Sequence, residues 1–69
     1  MGRTLEGIRV HLGMSQSELG RRVGISHTMI RRYERGLSEP TITVGARYAE
    51  HLNITMTDLI HLIGRGTDG

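Results

Sequence analysis

Glycine punctuates this chain at positions 13, 24, 36 and 64, each time after a short amphipathic run. A residue free to take positive φ ends a helix cleanly. Hydroxyl residues stand on the far side of the first three of these breaks and of a further one at Asn53: Ser15, Ser26, Thr41 and Thr55 each precede a new apolar-periodic stretch. A Ser or Thr side chain there satisfies orphan N–H groups of a helix's first turn. Stops and starts this dense leave room only for short helices and tight turns. The 69 residues make one small domain, and a chain of that size buries only about 60% of the surface its unfolded form exposes. It has no cysteine, so neither disulfides nor thiolate-bound zinc can supplement the core. Compact helix packing, with or without a partner subunit, has to supply the stability.

The periodicity predicts five helices. Leu5, Ile8 and Leu12 share one face of a first helix over about residues 3–12. Ser15-Gln16-Ser17-Glu18 reads as a capping box, with Glu18 reaching back to the cap and Met14 and Leu19 forming a hydrophobic staple. This second helix runs to Val23. Ser26 opens a third helix, stapled by Ile25 and Ile30 and running through Arg35. After the loop 36–40, Thr41 caps a fourth, with Ile42, Tyr48, Ala49 and Leu52 facing inward. Thr55 opens the fifth, whose apolar residues are Leu59, Leu62 and Ile63. Thr41-Ile42-Thr43-Val44 alternates like a strand, but Pro40 precedes it and no second strand exists to pair with it. The expected fold is all-α: a compact bundle of about five short helices over residues 1–64, with a flexible tail over 65–69.

All nine basic residues are arginine. That excludes a lysine nucleophile or Schiff base and favours forked recognition of phosphates and guanine edges. The net charge is only +2, but Arg21, Arg22, Arg31, Arg32 and Arg35 face only Glu18 and Glu34 between residues 16 and 36, leaving +3 there and −1 elsewhere. Such a concentration is either a solvated face or an electrostatic footprint for nucleic acid. Two tyrosines without Phe or Trp make a poor stacking platform for single strands. The histidines at 11, 27, 51 and 61 show no metal-ligand spacing, so no metal is expected. No Ser-His-Asp arrangement can be assembled, and no enzyme activity, cofactor or small-molecule ligand is expected. The G-x-G-x-x-G match at 64–69 follows no strand and is a chance one. No apolar run approaches the ~20 residues that span a bilayer, and Met1–Thr4 leads into an amphipathic stretch, so a cytoplasmic location is expected.

Residues 16–35 meet the physical demands of a helix-turn-helix. Gly20 is small where two steeply crossed helices must approach, and Gly24 tolerates positive φ in the turn. Leu19, Val23, Ile25, Ile30 and Tyr33 anchor the pair. His27, Thr28, Arg31 and Arg32, all hydrogen-bond donors, occupy the remaining face of the third helix.

The segment MSQSELGRRVGISHTMIRRYERG, residues 14–36, together with Pro40, Ala49–Leu52 and Asp58-Leu59, resembles the lambda-repressor-like (Cro/XRE) family of DNA-binding domains. The resemblance implies that Gln16 touches phosphate and braces the recognition helix. It implies that Ser26, His27 and Thr28 enter the major groove first and that Arg32 faces bases. Arg31 serves bases or phosphates, and Arg35 and Ser38 complete the DNA-binding set. It also implies an Arg9–Glu34 ion pair beneath the motif. Gly20 departs from the family's usual alanine, and Gly45 stands where leucine is general, a gap filled by Tyr48 or left as a small cavity. Leu37-Ser38-Glu39 replaces a loop that is often basic, so contact there falls to Ser38 and backbone amides. Leu37, Ile60 and Leu62 are either ordinary surface apolars or part of a two-fold interface. The implied function is a sequence-specific regulator of transcription that binds double-stranded DNA, a repressor acting as a homodimer on a palindromic operator. The alternatives are an antitoxin or operon controller that also binds a partner protein, and an interaction module that has lost DNA binding.

Overall fold

The computed structural model describes residues 3–64. The helices are α1 (Leu5–His11), α2 (Gln16–Val23), α3 (His27–Glu34), α4 (Ile42–Leu52) and α5 (Met56–Leu62). Among the described residues there is no strand. The expected tail over 65–69 lies outside them.

Every helix starts on a hydroxyl. The side chains of Thr4, Ser15, Ser26, Thr41 and Thr55 each accept a hydrogen bond from the N–H three residues on, at 2.9–3.2 Å. Thr4 is the cap that the sequence reading passes over, and it starts α1 at Leu5 rather than near residue 3. The capping box at α2 is only half made. Instead of reaching back, the Glu18 carboxylate accepts from Arg21 Nη2 at 2.5 Å and from Arg22 Nε and Nη2 at 3.1 Å. Charge-assisted bonds to guanidinium outcompete a neutral backbone N–H. These arginines, Arg22 before Arg21, hold the Glu18 carboxyl below the usual carboxylate range.

The core gathers one face of every helix: Leu5, Met14, Leu19, Val23, Ile30, Tyr33, Tyr48, Ala49, Leu52, Leu59 and Leu62. Helix α2 packs on α3 and α4, and α4 on α5. The rings of Tyr33 and Tyr48 meet with centroids 5.6 Å apart at 41°. Leu62, at 7% exposure, belongs to this core and not to any surface patch.

Two expectations for α4 need correction. Ile42 does not face inward; it is 83% exposed. It is in register with Gly45, Ala49 and Leu52, but the first turn of α4 sits at the core's rim, and Ile42 lines a cleft with Pro40, Met56, Ile60 and Ile63. Neither Tyr48 nor a void compensates for Gly45. Met56 of α5 does, with its Cε 2.5 Å and Sδ 3.2 Å from where a Cβ on Gly45 would stand. A flexible thioether is suited to filling such an irregular gap.

Candidate nucleic-acid interface

Helix α3 is held to α2 by an unusually close crossing. A Cβ on Gly20 would stand 2.6 Å from the Ile25 carbonyl oxygen and 3.3 Å from the His27 nitrogen. The N–H groups of Gly24 and Ile25 both donate to the Gly20 carbonyl, at 2.8 and 2.9 Å. Gly24 reverses the chain at φ 91°, a region that side chains with a Cβ seldom adopt. The first turn of α3 is thereby pressed against the middle of α2.

Polar groups fix the other end of α3. Glu34 is buried and accepts from Arg9 Nε at 2.6 Å and Nη2 at 3.3 Å, and from Gln16 Nε2 at 3.0 Å. Arg9 also donates through Nη1 to the Met14 carbonyl at 2.9 Å. One carboxylate on α3 thus engages α1 and the first residue of α2. A buried pair of this kind is held together as much by the penalty for stranding one partner as by its own attraction.

With Ile30, Tyr33 and Glu34 turned into the molecule, α3 leaves His27, Thr28, Arg31 and Arg32 exposed, with Arg35 just beyond its last turn. No carboxylate interrupts that set. Ser26 uses its oxygen to cap α3 and remains exposed beside them. A family model described as helix-turn-helix matches residues 5–59, most of the chain. The chain belongs to the Cro/C1-type helix-turn-helix family. Comparison with curated proteins and with solved structures returned no match.

Cro/C1-type domains are DNA-binding transcription regulators and not typically enzymes. The arginines of this one fall into different electrostatic states. Arg21 and Arg22 share Glu18, which offsets part of their charge. Arg32 donates from Nε to Ser38 Oγ at 2.8 Å and from Nη2 to the Leu37 carbonyl at 3.2 Å. Arg31 makes no such bond to the described residues. Gln16 faces Glu34 with its amide, a bracing contact for α3. Ser17, Arg21, Ile25, Ser26 and His27 line an open cleft of about 460 Å³ where α2 meets the start of α3.

Arg47 is the cation that sequence reasoning missed. It is exposed on α4, and its Nη1 lies 3.3 Å from where a Cβ on Gly24 would stand, against the turn before α3. Nothing in the sequence brings positions 24 and 47 together; the packing of α2 on α4 does. Among the described residues no cluster of His, Asp and Glu could hold a metal ion, and no helix is long and apolar enough to cross a membrane.

Proposed function

We propose that this regulator is a sequence-specific repressor that binds a palindromic double-stranded operator as a homodimer, with α3 of each subunit in the major groove. The carrying observation is the division of α3: one face is locked into the core, while the other presents His27, Thr28, Arg31 and Arg32 with no acidic residue among them. Arginine forks suit guanine O6 and N7, and short polar side chains at a helix's first turn suit entry to the groove. Gln16, Ser26 and Arg35 flank this face and would set register through phosphates.

The homodimer is supported by an apolar patch. Ile42 at 83% and Leu37 and Ile60 at 59% exposure are large hydrophobics in solvent, and Ile42 and Ile60 share a cleft with Pro40 and Ile63. Burying that patch against a second copy would present two recognition helices to half-sites about 34 Å apart. Repression would follow from occluding polymerase, in the cytoplasm at the nucleoid.

Selection of binding sites from random duplex DNA at two salt concentrations tests this reading. The expected product is a palindrome bound with steep salt dependence, since phosphate contacts dominate affinity. A chain with no preference among duplexes at low salt overturns it. Activity that survives both Thr28→Ala and Arg32→Ala points instead to a protein-interaction module.

A further inference from the structure

Helix α3 ends by folding the chain back over its own last turn. Gly36 takes φ 72°, and the Leu37 N–H then donates to the Arg32 carbonyl at 2.8 Å. This carries Leu37 and Ser38 back alongside the Arg32 side chain. The Arg32 guanidinium meets them with one edge: Nε donates to Ser38 Oγ at 2.8 Å, and Nη2 donates to the Leu37 carbonyl at 3.2 Å. Leu37 thus meets both the backbone and the side chain of Arg32, and Ser38 meets the side chain.

A guanidinium is planar, and its edges serve different partners. With the Nε–Nη2 edge occupied by the loop, the outer edge formed by Nη1 and Nη2 stays open. Two parallel N–H groups on one edge match O6 and N7 of guanine. Arginine otherwise loses much rotamer freedom when it is immobilised at an interface. Arg31, the preceding residue, has no such bracket and would lose more freedom on binding. The sequence reading gives Ser38 a DNA contact of its own, yet Ser38 is half-buried and its oxygen is turned to Arg32.

We propose that Ser38 is a positioning residue for base readout: it holds Arg32 with its outer edge presented to a guanine, so the α3–α4 loop helps set the selectivity of the recognition helix. This rests on the DNA-binding reading above and on Arg32 facing a base.

The test uses the duplex recovered by site selection and a panel carrying each single base-pair change. Competition binding is measured for the wild-type chain, Arg32→Ala, Ser38→Ala, Ser38→Thr and the double variant Arg32→Ala/Ser38→Ala. Arg32→Ala should lower discrimination at one guanine by roughly 5- to 100-fold. Ser38→Ala should lower it at that same position by roughly 3- to 10-fold, as the ordering of one long side chain is no longer shared by the loop. Discrimination elsewhere in the site should stay unchanged. Ser38→Thr, which keeps the hydroxyl, should retain the preference, and the double variant should discriminate no worse than Arg32→Ala.

Three results overturn the proposal. If Ser38→Ala leaves the preference at the Arg32 position intact, the clamp does not act in readout. If Ser38→Ala weakens every duplex equally, in the Arg32→Ala background as well, Ser38 is a phosphate contact. If Arg32→Ala changes no base preference while the selected duplex is still bound, Arg32 is not a reader; that failure is distinct from the absence of any selected duplex, which would remove DNA binding itself.

Discussion

Arg9 of α1 and Glu34 of α3 meet inside the molecule with Nε 2.6 Å from Oε2, both side chains less than a tenth exposed. Because Gln16 of α2 donates to the same carboxylate, this pair joins α1, α2 and α3. Its role is architectural: it fixes the last turn of α3 relative to the first residue of α2.

Removing either partner alone should destabilise the domain by about 3–5 kcal/mol, because the survivor is left charged and buried. Urea unfolding of Arg9→Ala and Glu34→Ala measures this. The double variant Arg9→Met/Glu34→Leu should lose less than either single one. Single variants within about 1 kcal/mol of wild type would mean that the pair is solvated and dispensable.

Gly20 and Gly45 provide a matched pair with opposite outcomes. At both, a new Cβ would meet an atom within 2.6 Å, but at Gly20 the atom is the Ile25 backbone carbonyl oxygen and at Gly45 it is the end of the Met56 side chain. Alanine adds about 1 kcal/mol of helix propensity at either site. Gly45→Ala should keep part of that gain, since Met56 can swing aside. Gly20→Ala should destabilise by about 1–2 kcal/mol because overpacking against backbone outweighs propensity, lowering Tm by several degrees in a domain of this size. Thermal melts of the two variants moving the same way would contradict this.

These glycines also mark where the sequence was legible and where it was not. Caps at Ser15, Ser26, Thr41 and Thr55 and the Asn53 stop are local signals, and the helices they bound are found at those places. The contacts over Gly45, the exposure of Ile42 and the position of Arg47 against Gly24 depend on how α4 meets α5 and α2. No local pattern encodes them. Glu18 fails for a related reason: the capping box and the i+3 and i+4 arginines are equally visible in sequence, and only their relative strength decides between them.

Tyr48 should be improvable. Its hydroxyl is buried without a hydrogen-bond partner among the described residues. Burial pushes its pKa well above the usual 10.0, with the Glu34 charge adding to the shift. Tyr48→Phe should therefore stabilise the domain by about 1 kcal/mol, since an unsatisfied buried hydroxyl is removed. The pH dependence follows in sign. A raised folded-state pKa means the folded chain keeps a proton that the unfolded chain loses, so stability is full below pH 10.0 and declines as pH rises beyond it. Tyr48→Phe should flatten that alkaline decline, which urea titrations across pH 9–11.5 would reveal.

Pairing with Glu18 separates the surface arginines. Arg31→Ala should weaken binding to the selected duplex and, if Arg31 meets phosphate, lower the salt slope by about 1. Arg21→Ala and Arg22→Ala should change affinity less, because Glu18 already offsets part of their charge. Glu18→Gln should tighten binding by freeing both. Fluorescence anisotropy across a salt series checks all four, and equal losses for Arg21 and Arg31 would reject the distinction.

Among the described residues no helix exceeds 11 residues, below the length at which an isolated helix persists in water. The exposed side chains of α3 therefore have no fixed geometry except within the assembled whole. Melting should be cooperative, with no partly folded species able to discriminate between duplexes, so the supply of competent molecules tracks the folding equilibrium itself.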